Sequence, residues 1–316
     1  MNNLEYQDEA KLFKFVDLKE DTKNESIHKS YSYFNSVFKT FIKKPSAIIA
    51  ISLLILLIFG IIIIPIFTPD GWLDISKTTD SKNIAPNFLH WWGTDAVGRD
   101  LFFMCFKGAG KSLFLALISS GIVLVFGTVI GLIWGYFKKI DFVFVEIYNL
   151  ISNIPSLLIY MLLSTIFTSA FPLIPAEIRL IISLTITGWI GLSRLIRNQI
   201  LIIDNREYNL ASKNLGSSAF KIMSRNYLPY LLAIIITEFS LIIPSMISSE
   251  VSMSYFGVGL PSNEISIGAI LNLGRQYFNE RPWQLLAPAF LLALIILIFF
   301  LLGLALSDAM DPKKHR

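Results

Sequence analysis

Six long apolar runs separated by polar stretches set the pattern of the chain. Ser46 to Phe67 and Ser112 to Phe137 carry no charge, and Ile147 to Ala176 is a third run with an exit loop near Pro172 and Pro175. A fourth begins after Arg179 and passes from Leu180 to Ser193 before Arg194 and Arg197. The fifth, Tyr227 to Met253, encloses Glu238 and Glu250, and the sixth, Trp283 to Ser307, is uncharged. About 20 apolar residues in a helix cross the roughly 30 Å of hydrocarbon in a bilayer. Inside lipid the backbone must satisfy its own hydrogen bonds, which favours helices for runs of this length. The pattern therefore predicts an all-α integral membrane protein with six transmembrane helices. The expected divisions are a polar leader (1–45), a first span (46–67), a long loop (68–111), a core with five more spans (112–307) and a short tail (308–316). The connection over about 198–226 is the one long polar break inside that core.

Composition agrees. Of 316 residues, 54% are hydrophobic and 16% charged, against about 25% charged in average soluble domains, which argues against a water-soluble enzyme. The lone Cys105 excludes intramolecular disulfides and thiolate metal clusters. His28, His90 and His315 are too scattered for a ligand set, so no metal site is expected. The net charge of +4 reports orientation rather than nucleic-acid binding. Most of the 27 basic residues fall in the leader, at Lys138 and Lys139, between the fourth and fifth runs, and in the tail. By the positive-inside rule both termini are expected in the cytoplasm and the 68–111 loop outside. From Tyr31 to Lys44, aromatic residues recur at helical spacing beside Lys39, Lys43 and Lys44. Two readings stand: an amphipathic helix on the inner membrane surface, or a solvated leader ending in stop-transfer lysines.

Few residues at membrane depth carry chemistry, and no catalytic constellation is visible. Lys107 to Ser112 suggests a phosphate loop, but the required first glycine would fall at Cys105. The segment reads instead as a small-residue lead-in to the second span. Gly127, Gly131 and Gly135 form a stripe suited to close helix packing. Acids inside a bilayer are costly and tend to face a cavity or another helix. Glu238 and Glu250 are accordingly candidates for a pathway or gate, with internal hydrogen bonding as the alternative, while Glu146 suits the interface. Between the fourth and fifth runs, Arg206 to Leu215 predicts a short helix. Tyr208, Ala211 and Leu215 share one face, Arg206, Asn209 and Lys213 point elsewhere, and Gly216 is placed to end it. Such a helix could dock in a groove of a cytoplasmic partner; an ordinary connecting loop is the alternative.

These residues resemble a family. Glu207 to Gly216, with Ile222, Arg225 and Leu228-Pro229, is similar to the cytoplasmic loop of ABC-importer permeases, whose pattern is Glu-Ala-Ala, three residues, glycine, then an aliphatic, basic and Leu-Pro segment. Here that triplet is Leu210-Ala211-Ser212, without the acid, and Asn226 stands where a histidine is common. His90-Trp91-Trp92-Gly93-Thr94-Asp95-Ala96-Val97-Gly98-Arg99-Asp100 resembles the signature ahead of the second span in C-type permeases of oligopeptide and dipeptide importers. Ile154-Pro155-Ser156, Ser249-Glu250 through Pro261, and the Ser307 to Pro312 ending resemble further motifs of that group. The segment from Glu207 and the leader look similar to oligopeptide permeases of low-GC Gram-positive bacteria.

The resemblance implies a type I ABC importer permease fold and a subunit of an ATP-driven peptide importer. Implied partners are a homologous B-type permease, two cytoplasmic ATPases, an extracellular peptide-binding protein, the peptide and membrane lipid, with no nucleic acid. No cofactor would be held by this chain; ATP and Mg would bind the ATPases. The docking residues would be Arg206, Glu207, Tyr208, Asn209, Leu210, Ala211, Ser212, Leu215, Gly216 and Arg225. Glu238, Glu250 and Pro155 would belong to the pathway or its gating, and Gly93, Thr94, Asp95, Gly98, Arg99 and Asp100 to the extracellular motif. Alternatives are a related importer for nickel or another small solute, or a stand-alone secondary transporter. A nickel path would call for histidines at membrane depth, and none lies inside a run.

Overall fold

The computed structural model describes residues 33–69, 72–73, 82–261 and 264–310. The expectations for the leader up to residue 32 and for the tail from residue 311 lie outside the described residues. Among the described residues eleven α-helices follow one another: α1 (Tyr33–Lys43), α2 (Pro45–Ile66), α3 (Leu101–Tyr136), α4 (Asp141–Ser152), α5 (Ser156–Ala170), α6 (Ala176–Asp204), α7 (Glu207–Asn214), α8 (Ala219–Ile222), α9 (Leu228–Tyr255), α10 (Ile267–Arg275) and α11 (Trp283–Met310). Single turns at Lys138–Ile140 and Met223–Tyr227 join α3 to α4 and α8 to α9. Five continuous helices are long and apolar enough to cross a membrane: α2, α3, α6, α8 through α9, and α11.

The third run departs from expectation. In place of one straight span, α4 and α5 meet at 87°, and the count reaches six only when this bent pair is taken as one crossing. Pro155 is the cause. It has no N–H to continue α4, and its ring pushes Ile154 away from the helical region. Pro155 itself is extended (φ −53°, ψ 123°) and starts α5. Five residues on, the Tyr160 hydroxyl lies 3.8 Å from where a Gly188 Cβ would stand, near the middle of α6.

Two spans are longer than their uncharged runs. α3 begins at Leu101 rather than Ser112, and α6 extends through Arg194 and Arg197 to Asp204. Three of the charges that interrupt the hydropathy meet tertiary partners. Lys111 pairs with Glu177 at 2.9 Å and with Glu264. The Arg197 guanidinium donates to both Asp141 oxygens at 2.9 and 2.6 Å, and Arg194 lies 3.9 Å over the Tyr148 ring.

α3 and α6 run parallel along the glycine stripe. A Cβ added at Gly127, Gly131 or Gly135 would stand 2.7–2.8 Å from Leu192, Ile196 or Ile200 respectively. The Ser193 hydroxyl donates to the Gly127 carbonyl at 3.0 Å, possible only at this backbone separation. Such small-residue seams hold spans together where lipid supplies no hydrophobic drive. Overpacking in a tight core costs about 1–3 kcal/mol. Gly131→Val is expected to lower the stability of the detergent-solubilised chain by that amount, read from its thermal unfolding.

Buried apolar residues form two main clusters. One joins α2, α3, α9, α10 and α11; the other, toward the C-terminal end of α6, includes Ile196, Ile200, Ile203, Ile222, Tyr227 and Leu231. α1 packs Val37 on Ala309 and Met310, and Lys44 pairs with Asp308 at 2.9 Å. The first described helix and the end of α11 thus lie together, at the end of the bundle that also holds Asp204.

Candidate docking site at the Asp204 end

α6 ends in a tight corner and α7 runs eight residues before closing on Gly216. Gly216 has φ 73°, the left-handed conformation that glycine adopts without a side-chain clash. Its N–H donates to the Lys213 carbonyl at 3.0 Å and that of Ser217 to the Ser212 carbonyl at 3.1 Å, satisfying the last turn. The chain re-enters a helix at Ser218, whose hydroxyl accepts from Lys221 N at 3.4 Å. Ahead of Pro229 the helix widens: Leu228 N–H reaches back five residues to Met223. Pro229 lacks the donor an ordinary turn would direct at Arg225.

α7 is anchored by its polar side. Asn209 is fully buried; its amide donates to the Ile203 carbonyl at 2.7 Å and its oxygen accepts from Asn226 at 2.9 Å. Asn226 also donates to the Ser212 hydroxyl at 3.2 Å. Asp204, 4% exposed, accepts from Lys213 of α7 and from the Tyr227 hydroxyl, and Lys138 approaches to 3.5 Å. Lys213 stands 5.6 Å over the Tyr136 ring. Arg206 donates to the Tyr230 hydroxyl at 3.2 Å and covers its ring.

The opposite side is bare. Tyr208 and Leu210 are exposed, as is Ala211, while Leu215 is 85% and Phe220 77% exposed. The expected division holds: Tyr208, Ala211 and Leu215 face outward together, and Asn209 and Lys213 turn to the body. Glu207 and Arg225 are exposed at its margins. Sequence reasoning missed Asp204 and Tyr227 as anchors and gave Asn226 no role. An acid closing a long apolar run was the available signal.

The candidates at membrane depth are not brought together. Glu250 is fully buried, accepts from the Ser254 hydroxyl at 3.1 Å, and has Ser112 and Ser266 as further neighbours. It is enclosed by α3, α9 and α10, the surroundings of the internal hydrogen bonding named as its alternative role. Glu238 is half-buried along α9 and makes no hydrogen bond or ion pair among the described residues. Pro155 lies at the α4–α5 bend.

The 93–100 motif builds a capped loop at the opposite end. Gly93 and Gly98 take positive φ of 75° and 96°. Asp100 Oδ1 accepts from Phe102 N and Phe103 N at 2.9 and 3.2 Å, capping α3, and its other oxygen lies 2.7 Å from His90 Nδ1. Asp95 accepts from Val97 N, Arg99 N and Arg99 Nε at 2.8–3.0 Å. From α11, Gln284 donates to the Thr94 carbonyl at 3.0 Å. These polar groups are spent on one another. The Lys107–Ser112 segment behaves as a packed lead-in: Gly108 abuts the Ser266–Ile267 backbone, and Ser112 accepts from Ile267 N at 3.3 Å.

Comparison with known proteins agrees with this geometry. Residues 127–316 match the family described as "Binding-protein-dependent transport system inner membrane component". The chain is similar to the oligopeptide transport system permease protein AmiD of Streptococcus pneumoniae, at 38% identity over 96% of this chain and 97% of that protein. It is also similar to the dipeptide transport system permease protein DppC of Bacillus subtilis, at 33% identity over 91% of this chain and 88% of the relative. For the oligopeptide transport system permease protein OppC of the same species the identity is 30%, over 91% and 92%. A family match across more than half of the length and three permease relatives across nearly all of it settle the membership: the chain is a multi-pass membrane protein of the binding-protein-dependent transport system inner membrane component family.

Proposed function

We propose that this chain is the permease subunit of an ATP-driven importer of oligopeptides or dipeptides, delivered by an extracellular binding protein. Permeases named for those substrates match it over nearly its whole length. The observation that carries the coupling part is the bare apolar face of α7, presented by a helix whose Asn209 and Lys213 are turned to the body. A helix exposing Tyr208, Ala211 and Leu215 beside Leu210 and Phe220 suits a groove in another protein. In this reading the groove belongs to one of two ATPases, which bind ATP and Mg, and the Asp204 end is cytoplasmic. Both chain termini would then be cytoplasmic and the His90–Asp100 loop extracellular.

A second, homologous permease completes the pathway. Glu238, half-buried and without a partner here, would face the shared passage or the partner, and Pro155 would shape its wall. α1 carries exposed Phe38, Lys39, Ile42 and Lys43 and would rest on the inner membrane surface. Closure of the ATPases would rock the spans through α7. The test is purification of the tagged chain from native membranes. Two ATPases, a second permease and a peptide-binding protein are expected to accompany it. A chain that purifies alone and by itself moves peptides into vesicles would refute the reading.

A further inference from the structure

The apolar face of α7 explains how the helix could meet a partner but not how a push on it would reach the spans. Eight residues joined by two short connectors would swivel under load unless the base were fixed. Beside the Asn209 contacts, the charged anchor of that base is one carboxylate. The Asp204 carboxylate is buried at the last residue of α6 and accepts from Lys213 in the last turn of α7 and from Tyr227 at the foot of α9. Lys138, just past the end of α3, stands 3.5 Å away. Tyr136, the last residue of α3, closes the group from the side, with its ring 5.6 Å under the Lys213 ammonium and 6.3 Å from the Tyr227 ring. One anion thus holds four separate segments together, and charge-assisted hydrogen bonds are the strong ones.

We propose that Asp204 is the positioning residue that makes α7 and the cytoplasmic ends of α3, α6 and α9 move as one body. It would touch neither substrate nor ATP; it would set how much motion of the docking helix becomes motion of the spans. The inference rests on the proposal that α7 docks an ATPase, and it deepens that proposal by naming the joint. Asn209 fixes the start of α7 to α6 and accepts from Asn226 ahead of α9, but carries no charge and makes no bond to α3 or Lys138. Asp204 alone reaches three.

The test uses the complete importer in proteoliposomes and a labelled casein-hydrolysate peptide pool, reading peptide accumulated per ATP hydrolysed. Asp204→Asn keeps the shape and an acceptor for Tyr227 but loses the charge that holds Lys213 and Lys138. The ATPases are expected to remain bound and to hydrolyse ATP, while peptide per ATP falls about fivefold or more, the low end of typical coupling between sites. Asp204→Glu should restore most of the ratio, which a loss of general stability would not allow. Tyr227→Phe removes one hydroxyl and should lower the ratio in the same direction by a smaller factor; it carries the test if Asp204→Asn does not accumulate in the membrane. An unchanged ratio in the variant that accumulates overturns the inference. So does loss of the ATPases from the Asp204→Asn complex, which would make Asp204 only a support of the docking surface. Absence of ATPases from the wild-type complex would instead refute the docking proposal itself.

Discussion

Peptide uptake is expected to fall by about tenfold or more when Ala211 is replaced by arginine, while the chain still reaches the membrane at normal levels. Ala211 lies in the bare face of α7 between Tyr208 and Leu215, so the new side chain costs the isolated subunit almost nothing. In the assembly it would drive an unpaired charge into a dry contact, and each 1.4 kcal/mol lost from the contact is about a factor of ten in affinity. Gly216→Pro reaches the same end by another route. Proline cannot adopt the φ of 73° that closes α7, so the helix loses its last turn and Leu215 its position. Uptake into membrane vesicles, with quantification of the chain and of bound ATPase, checks both. Normal uptake with either variant present at wild-type abundance would mean that α7 is not the contact.

The largest effect on stability is expected at the other end of the bundle. Among the described residues Asp95→Ala removes the one carboxylate paired with Arg99, and both side chains are nearly enclosed, at 8% and 5% exposure. It also strips acceptors from Val97 N and Arg99 N. Removing one partner of a buried ion pair costs about 3–5 kcal/mol because the remaining charge is stranded. Asp95→Asn keeps the backbone acceptor and should lose less. Thermal unfolding in detergent, together with steady-state abundance in the membrane, would rank the two. Equal stability of Asp95→Ala and wild type would show that Arg99 finds water or another acceptor.

The spans were legible because each rests on one requirement, a run long enough to cross hydrocarbon, and a local window contains it. Their ends were less so. Lys107 and Lys111 break the hydropathy before Ser112, yet α3 begins at Leu101, because Glu177 and Glu264 from distant segments pair with Lys111. The same holds for α6 beyond Ser193, where Arg197 finds Asp141. The outward face of α7 was readable from the spacing of Tyr208, Ala211 and Leu215, which is helical geometry alone. Its anchoring was not: Asp204 meets Tyr227 across 23 positions, and Asn209 meets Asn226 across 17. The 93–100 motif was visible as a resemblance, but its job of capping α3 and holding α11 appears only once Gln284 is brought to Thr94. The bend in the third run is the instructive miss, since Pro155 was in view and only its effect on direction went unread.

That bend has a consequence for where water can go. α5 has 15 residues and so rises only about 22 Å, short of the roughly 30 Å of hydrocarbon. The remainder of the crossing passes through Asn153, Ile154 and Pro155, where the run of helix is interrupted. Hydrocarbon does not tolerate bare peptide groups; irregular backbone at that depth survives only against protein or beside a wet cavity. Asn153, Ile154 and Pro155 are exposed on this chain, so wherever the seam lies within hydrocarbon it requires protein or water over it, before any substrate is considered.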